Sequence, residues 1–165
     1  ERKSIVEAVN HIKSSGYERL IYVSPPLRYR GQRTLYTLEE RLKGAEESAT
    51  PMALHVIESK EYIEETVNVV TSSKERICVL CSSDVFALEI MTALRNKGKI
   101  PPQDYGLMGY DNISILRHIS PRLTTIAYPI ESLATTALDM LFALIDGKPG
   151  DKRFLKAKMI TGETV

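Results

Sequence analysis

YGLMGYDNISILRHISPRLTTIAYP, residues 105–129, is the stretch around which the chain is organised. It opens on a short apolar run, Gly106-Leu107-Met108-Gly109-Tyr110, that stops at Asp111-Asn112. An apolar strand ending in two polar residues is the pattern of a buried parallel strand whose carboxyl end points at a ligand crevice. A loop follows, then Leu123-Thr124-Thr125-Ile126, a second short β-prone run, then Tyr128-Pro129 and the start of a new helix. Two strand ends, each followed by a polar or aromatic residue, therefore lie close together in the chain.

Upstream the same rhythm repeats. Residues 2–15 read as a helix with Ile5, Val6, Ala8, Val9 and Ile12 on one face and Gly16 at its end. Leu20-Ile21-Tyr22-Val23 is a strand ended by Ser24-Pro25-Pro26. A helix starts at Thr37, with Glu40 at capping-box spacing, and runs to about residue 48. Strands at 52–57 and 77–81 alternate with helices at 60–72 and 85–97, the latter closed by Gly98 and Pro101-Pro102. The last helix spans residues 131–146, striped by Leu133, Ala137, Met140, Leu141 and Leu144, and a β-like run covers 154–160. Strands and helices alternating at this spacing predict an α/β fold, a three-layer αβα sandwich with a parallel sheet between helix layers.

At 165 residues the chain can bury one sizeable core, and its 43% apolar and 26% charged content is ordinary for a globular protein. A formal net charge of +1 gives no global field for nucleic acid. No window reaches 18 consecutive apolar residues, the length of a membrane span. The start, Glu1-Arg2-Lys3-Ser4, lacks Met and a signal-peptide core, so the chain reads as a piece of something longer. Cys78 and Cys81 have redox-pair spacing but sit within an apolar run, Ile77-Cys78-Val79-Leu80-Cys81. Positions i and i+3 of a strand face opposite sides, so these are expected to be reduced structural thiols in a cytosolic core.

No catalytic constellation is visible. His11, His55 and His118 are scattered without metal-ligand spacing, and dinucleotide, phosphate-loop and nucleophile-elbow motifs are all missing from the sequence. What remains is a ring of polar groups at strand ends: Ser83 and Asp84, Asp111 and Asn112, and Tyr128, with Arg41 in the first turn of the helix that follows the first strand. In a parallel sheet these positions converge on one crevice. Carboxylate and guanidinium groups bind sugar hydroxyls in fork geometry, and an aromatic ring packs on a pyranose face. Asp111 reads equally as a turn-closing residue, and Asp84 reads mainly as a helix cap. The basic stretch Arg28-Tyr29-Arg30-Gly31-Gln32-Arg33 is open to three readings: a solvated loop, a nucleic-acid contact, or a site for an anionic ligand at the crevice mouth.

Several groups of residues follow one order and spacing: Ala8-Val9-Asn10-His11-Ile12 through Gly16-Tyr17-Glu18-Arg19-Leu20-Ile21; Arg41-Leu42-Lys43-Gly44; Ser83-Asp84-Val85-Phe86-Ala87; Gly109-Tyr110-Asp111-Asn112; and Pro121-Arg122-Leu123-Thr124-Thr125-Ile126. Together they resemble the effector-binding core of the lac repressor and galactose repressor family of bacterial transcription regulators, over nearly the whole chain. The resemblance implies a periplasmic-binding-protein-like fold of two subdomains, one of them nearly complete here, with a small effector between them. The effector would be a sugar or sugar derivative. It implies a cytoplasmic, ligand-controlled repressor, not an enzyme, with neither cofactor nor metal. Such a repressor would be a homodimer, and it would meet DNA through a helix-turn-helix domain outside this chain. A sugar-binding protein of a transport system with the same fold is the alternative.

By the same resemblance Arg41, Ser83, Asp111 and Tyr128 fall at effector contacts, and Leu88 and Ile119 at the dimer interface. Three positions depart from the family pattern: Ser83 replaces a usual Asn, Ala45 a usual aromatic, and Gly162 a common Arg. The implied division is a helix of a truncated amino-terminal subdomain at 1–18 and the carboxy-terminal effector-binding subdomain at 19–121. The crossover and helix of the amino-terminal subdomain occupy 122–150, and the return strand 151–165. On that division the apolar faces of helices 2–15 and 131–146 are both left uncovered, so the fragment is expected to associate.

Overall fold

The computed structural model describes residues 1–29, 32–33 and 36–165, with only the backbone of residues 28–29 and 32–33. The readings of the basic stretch rest on side chains that lie outside the described residues.

The elements follow the expected alternation: α1 (Arg2–Ser14), β1 (Arg19–Val23), a short hairpin of β2 (Arg28–Tyr29) and β3 (Gln32–Arg33), α2 (Tyr36–Ser48), β4 (Ala53–Ile57), α3 (Tyr62–Ser72), β5 (Ile77–Cys81), α4 (Asp84–Arg95), β6 (Gly106–Asp111), a 3-10 turn (Ser114–His118), β7 (Thr124–Ala127), α5 (Ile130–Ile145) and β8 (Lys158–Ile160). The main sheet runs β4-β1-β5-β6-β7-β8. Its first five strands are mutually parallel, and β8 adds antiparallel to β7 through Thr125–Ile160 and Ile126–Met159. The sheet is thus parallel, as expected, with one antiparallel strand at its edge.

Strand alternation builds two cores. Leu20, Tyr22, Cys78, Leu80, Met108 and Tyr110 face the layer of α1 and α2. Ile21, Val23, Val79, Cys81 and Leu107 face α3 and α4. This is why β1 and β5 read as continuous apolar runs: both faces are covered. Cys78 and Cys81 fall on opposite faces as free, fully buried thiols, and burial pushes both well above the ordinary thiol range.

One expectation is corrected. The face of α1 is not open: Ile5, Ala8, Val9 and Ile12 are fully buried, and only Val6 is half-exposed. They pack on α2 and on the sheet side chains Leu20, Tyr22, Leu80 and Met108. The Arg-x-x-Gly motif supplies the reason. A Cβ at Gly44 would lie 2.7 Å from the Arg2 carbonyl and 2.9 Å from Ile5 Cβ, so glycine lets the two helices approach. Arg2 then forks onto Glu40 with two 3.0 Å bonds. Glu40, expected in a capping box, is spent instead on Arg2 and Lys43, and Arg2 leads in holding its carboxyl down at about 2.

Helix α5 keeps the other expectation. It has no buried residue, and Leu138, Leu141, Phe142 and Leu144 are each more than half exposed. Among the described residues no helix is long and apolar enough to cross a membrane.

Candidate functional site

The carboxyl ends of β1, β5, β6 and β7 form one sheet edge, and α2 carries Arg41 over it. Arg41 is buried, 7% exposed. Its Nε donates to Glu1 Oε2 at 2.6 Å and its Nη1 to the Ser82 carbonyl at 2.6 Å. The guanidinium carbon lies 3.5 Å from the centroid of the Tyr110 ring, a cation–π contact. Nη2 faces Asp111 Oδ1 at 3.7 Å, an ion pair too long for a hydrogen bond. Tyr110 is itself fixed by a 2.9 Å bond between its hydroxyl and Ser4 Oγ on α1.

The charges are mutually adjusted. Burial works against the Arg41 charge, but its bond to Glu1 and the neighbouring carboxylates hold the guanidinium above its ordinary range. Burial raises the Asp111 carboxyl, Arg41 opposes that rise, and Glu1 adds to it.

Asp111 and Asn112 have positive φ, 105° and 56°, the only non-glycine residues of the described chain that do. Such backbone costs on the order of 1–3 kcal/mol per residue and persists only where its surroundings impose it. Asp84 imposes it here. Its fully buried carboxylate accepts from the Ile113 amide at 2.9 Å and from Thr125 Oγ1 at 2.6 Å. It thereby ties the turn after β6 to β7. Gly109 makes room for it, since a Cβ there would fall on Asp84 Oδ1. The capping role expected of Asp84 belongs to Ser83, whose side chain accepts from the Val85 amide at 3.1 Å.

Burial, reinforced by Asp111 and opposed by the bonds from Thr125 and Ile113, pushes the Asp84 carboxyl up to about 6. A carboxyl raised on folding stabilises the fold when protonated. That contribution is complete below the ordinary Asp range near 4 and is lost as pH rises through about 6. Wild type should therefore lose roughly 2–3 kcal/mol relative to Asp84→Asn as pH climbs from about 4 to about 7. Urea unfolding of both across that window checks this, and parallel profiles contradict it.

Of the residues expected at the site, Arg41 and Asp111 converge. Tyr128 follows Ala127, the register partner of Asp111, and is half-buried against the α1–α2 core. Ser83 adjoins Ser82 at the same edge, with its hydroxyl engaged at the helix start. Leu88 and Ile119 pack, half-buried, against the α3–α4 core. Glu1, Ser4 and the Ser82 carbonyl escaped sequence reading. Glu1 carries no motif, and only the need of a buried arginine for a counter-ion points to it. A concavity of about 440 Å³ lined by Leu27, Leu42, Lys43, Glu46 and Glu58, among others, includes none of the expected residues. Convergent charges and a strained turn are the stronger guide to chemistry than that hollow. No group of His, Cys, Asp and Glu among the described residues has metal-holding geometry.

The chain also matches known proteins. Residues 9–165 match the periplasmic binding protein-like domain family. The HTH-type transcriptional repressor PurR of Photobacterium profundum is 29% identical over 155 residues, covering 88% of this chain and 45% of the repressor. The HTH-type transcriptional regulator GalR of Escherichia coli is 38% identical over 71 residues, 43% of this chain and 21% of the regulator. The chain thus spans under half the length of these relatives. Among solved structures, a LacI family transcriptional regulator from Enterococcus faecalis with bound ribose superposes with a TM-score of 0.80 at 27% identity, covering 99% of this chain and 60% of that one.

Proposed function

From the premise that the chain belongs to the periplasmic binding protein-like domain family, we propose that it is the effector-sensing part of a DNA-binding transcriptional repressor, a ligand-controlled binding protein and not an enzyme. The observation that carries the reading is the convergence of Arg41 and Asp111 at the carboxyl edge of the sheet, on a turn held in strained backbone. Tyr128 and Ser83 complete the set of effector contacts. The effector is a sugar or sugar derivative, in keeping with the ribose held by the Enterococcus faecalis neighbour.

Residues 19–121 are the effector-binding subdomain. Helix α1 is assigned to the same body because it packs on α2. Residues 122–150 cross into an amino-terminal subdomain, and 151–165 return. The effector bridges both subdomains and biases a two-state equilibrium that sets DNA affinity through a helix-turn-helix domain outside this chain. The repressor is a cytoplasmic homodimer with Leu88 and Ile119 in its interface.

Fluorescence anisotropy of the full-length protein on promoter DNA of its own operon tests the reading. A sugar from a panel including ribose and lactose should change DNA affinity by at least about tenfold, within the usual coupling range. DNA affinity indifferent to every sugar, or no DNA binding at all, overturns it.

A further inference from the structure

Arg41 is not presented as a bare cation. A buried arginine with its fork free is the strongest protein group for capturing phosphate or carboxylate. Here the Nε edge is closed by Glu1 at 2.6 Å and Nη1 by the Ser82 carbonyl at 2.6 Å. One face of the guanidinium plane lies on the Tyr110 ring. What remains is Nη2, and it looks toward Asp111 across 3.7 Å. One positive group thus stands against two carboxylates, and the Glu1 side chain is only 13% exposed, so solvent does little to weaken its pairing.

The opening between Nη2 and Asp111 asks for a group that accepts from one and donates to the other. A hydroxyl does both without adding charge, whereas a phosphate or carboxylate anion would bring negative charge against the Asp111 carboxylate. The Asp111 side chain is 36% exposed, so a ligand can reach it.

Building on the effector-site reading above, we propose that Glu1 is a positioning residue that sets the charge selectivity of the site. By closing one edge of Arg41 it reserves the cleft for uncharged polyhydroxylated ligands and keeps phosphorylated or acidic ones off the guanidinium.

Calorimetric titration of the full-length protein with inorganic phosphate at constant ionic strength, beside titration with a panel of neutral sugars, tests this. Wild type should show no saturable phosphate binding. Glu1→Gln should gain it, by about tenfold or more in affinity, because the carboxylate that neutralises Arg41 at 2.6 Å is replaced by an uncharged amide. Arg41→Met in the Glu1→Gln background should abolish the gain. The wild-type arm needs no variant to fold: saturable phosphate binding by wild type that Arg41→Met removes overturns the proposal, as does a folded Glu1→Gln with no gain. Neutral sugars that fail to bind wild type would count against the effector-site reading instead, whatever phosphate does.

Discussion

Replacing Arg41 with methionine should destabilise the protein by about 3 kcal/mol, the usual effect of removing one partner of a buried ion pair. The side chain is 91% buried and serves three groups: Glu1, the Ser82 carbonyl and Asp111. Methionine keeps the packing on Tyr110 and removes every donor. The Glu1 carboxylate is then left nearly buried without its cation, and the Ser82 carbonyl loses its bond. Effector affinity in the full-length protein should fall by roughly tenfold or more, since a charge-assisted contact is lost. Urea unfolding gives the first quantity. Adding Glu1→Gln to Arg41→Met should recover part of the loss, because the stranded charge is gone. A stability loss under about 1 kcal/mol would place Arg41 in the class of exposed surface pairs and contradict its buried role.

The second large effect concerns α5. The helix is apolar on most of its circumference after Ala137, with Leu138, Met140, Leu141, Phe142, Leu144 and Ile145, yet none of its residues is buried. A helix of that character needs cover on more than one side. Each Leu, Ile or Phe taken out of water contributes roughly 1.5–3 kcal/mol, and several together outweigh the cost of association. The 165-residue chain alone should therefore self-associate at tens of micromolar. Leu141→Asp with Phe142→Asp should return it to a monomer. Light scattering decides, and a monomeric wild type with α5 folded and exposed would contradict the expectation. On the proposed reading an amino-terminal subdomain of the full-length protein would cover this helix, so the same two substitutions there should disturb folding instead.

Much of the fold was legible because its chemistry is local. The run Ile77–Cys81 is apolar throughout and proved to be a strand buried on both faces. Gly16 and Gly98 stop helices by adopting positive φ, 80° and 73°. The β2–β3 hairpin escaped notice because Arg28-Tyr29 and Gln32-Arg33 show no apolar alternation. The turn at Ser114–His118 is too short for any periodicity to register. The packing of α1 was misjudged because an amphipathic face says that a partner exists, not which one, and Gly44 is the clue that α2 lies against it. At the site, Asp111 was reachable from its place at a strand end and Arg41 from its helix, although α2 starts at Tyr36 and so puts Arg41 in the second turn, not the first. Asp84 was not, because a carboxylate after a serine at a helix start looks like a cap. Only the three-dimensional return of Ile113 and Thr125 shows it holding the turn.

Calorimetric titration of the full-length wild type and Asp111→Asn with whichever panel sugar binds is the most direct test of the effector site. Asparagine preserves size and tolerates the positive φ of 105° at this position, so the fold is kept while the charge beside Arg41 is removed. The expected result is saturable sugar binding by wild type and at least roughly tenfold weaker binding by Asp111→Asn. Equal affinities in the two folded proteins would contradict the assignment of the Arg41–Asp111 edge as the effector site.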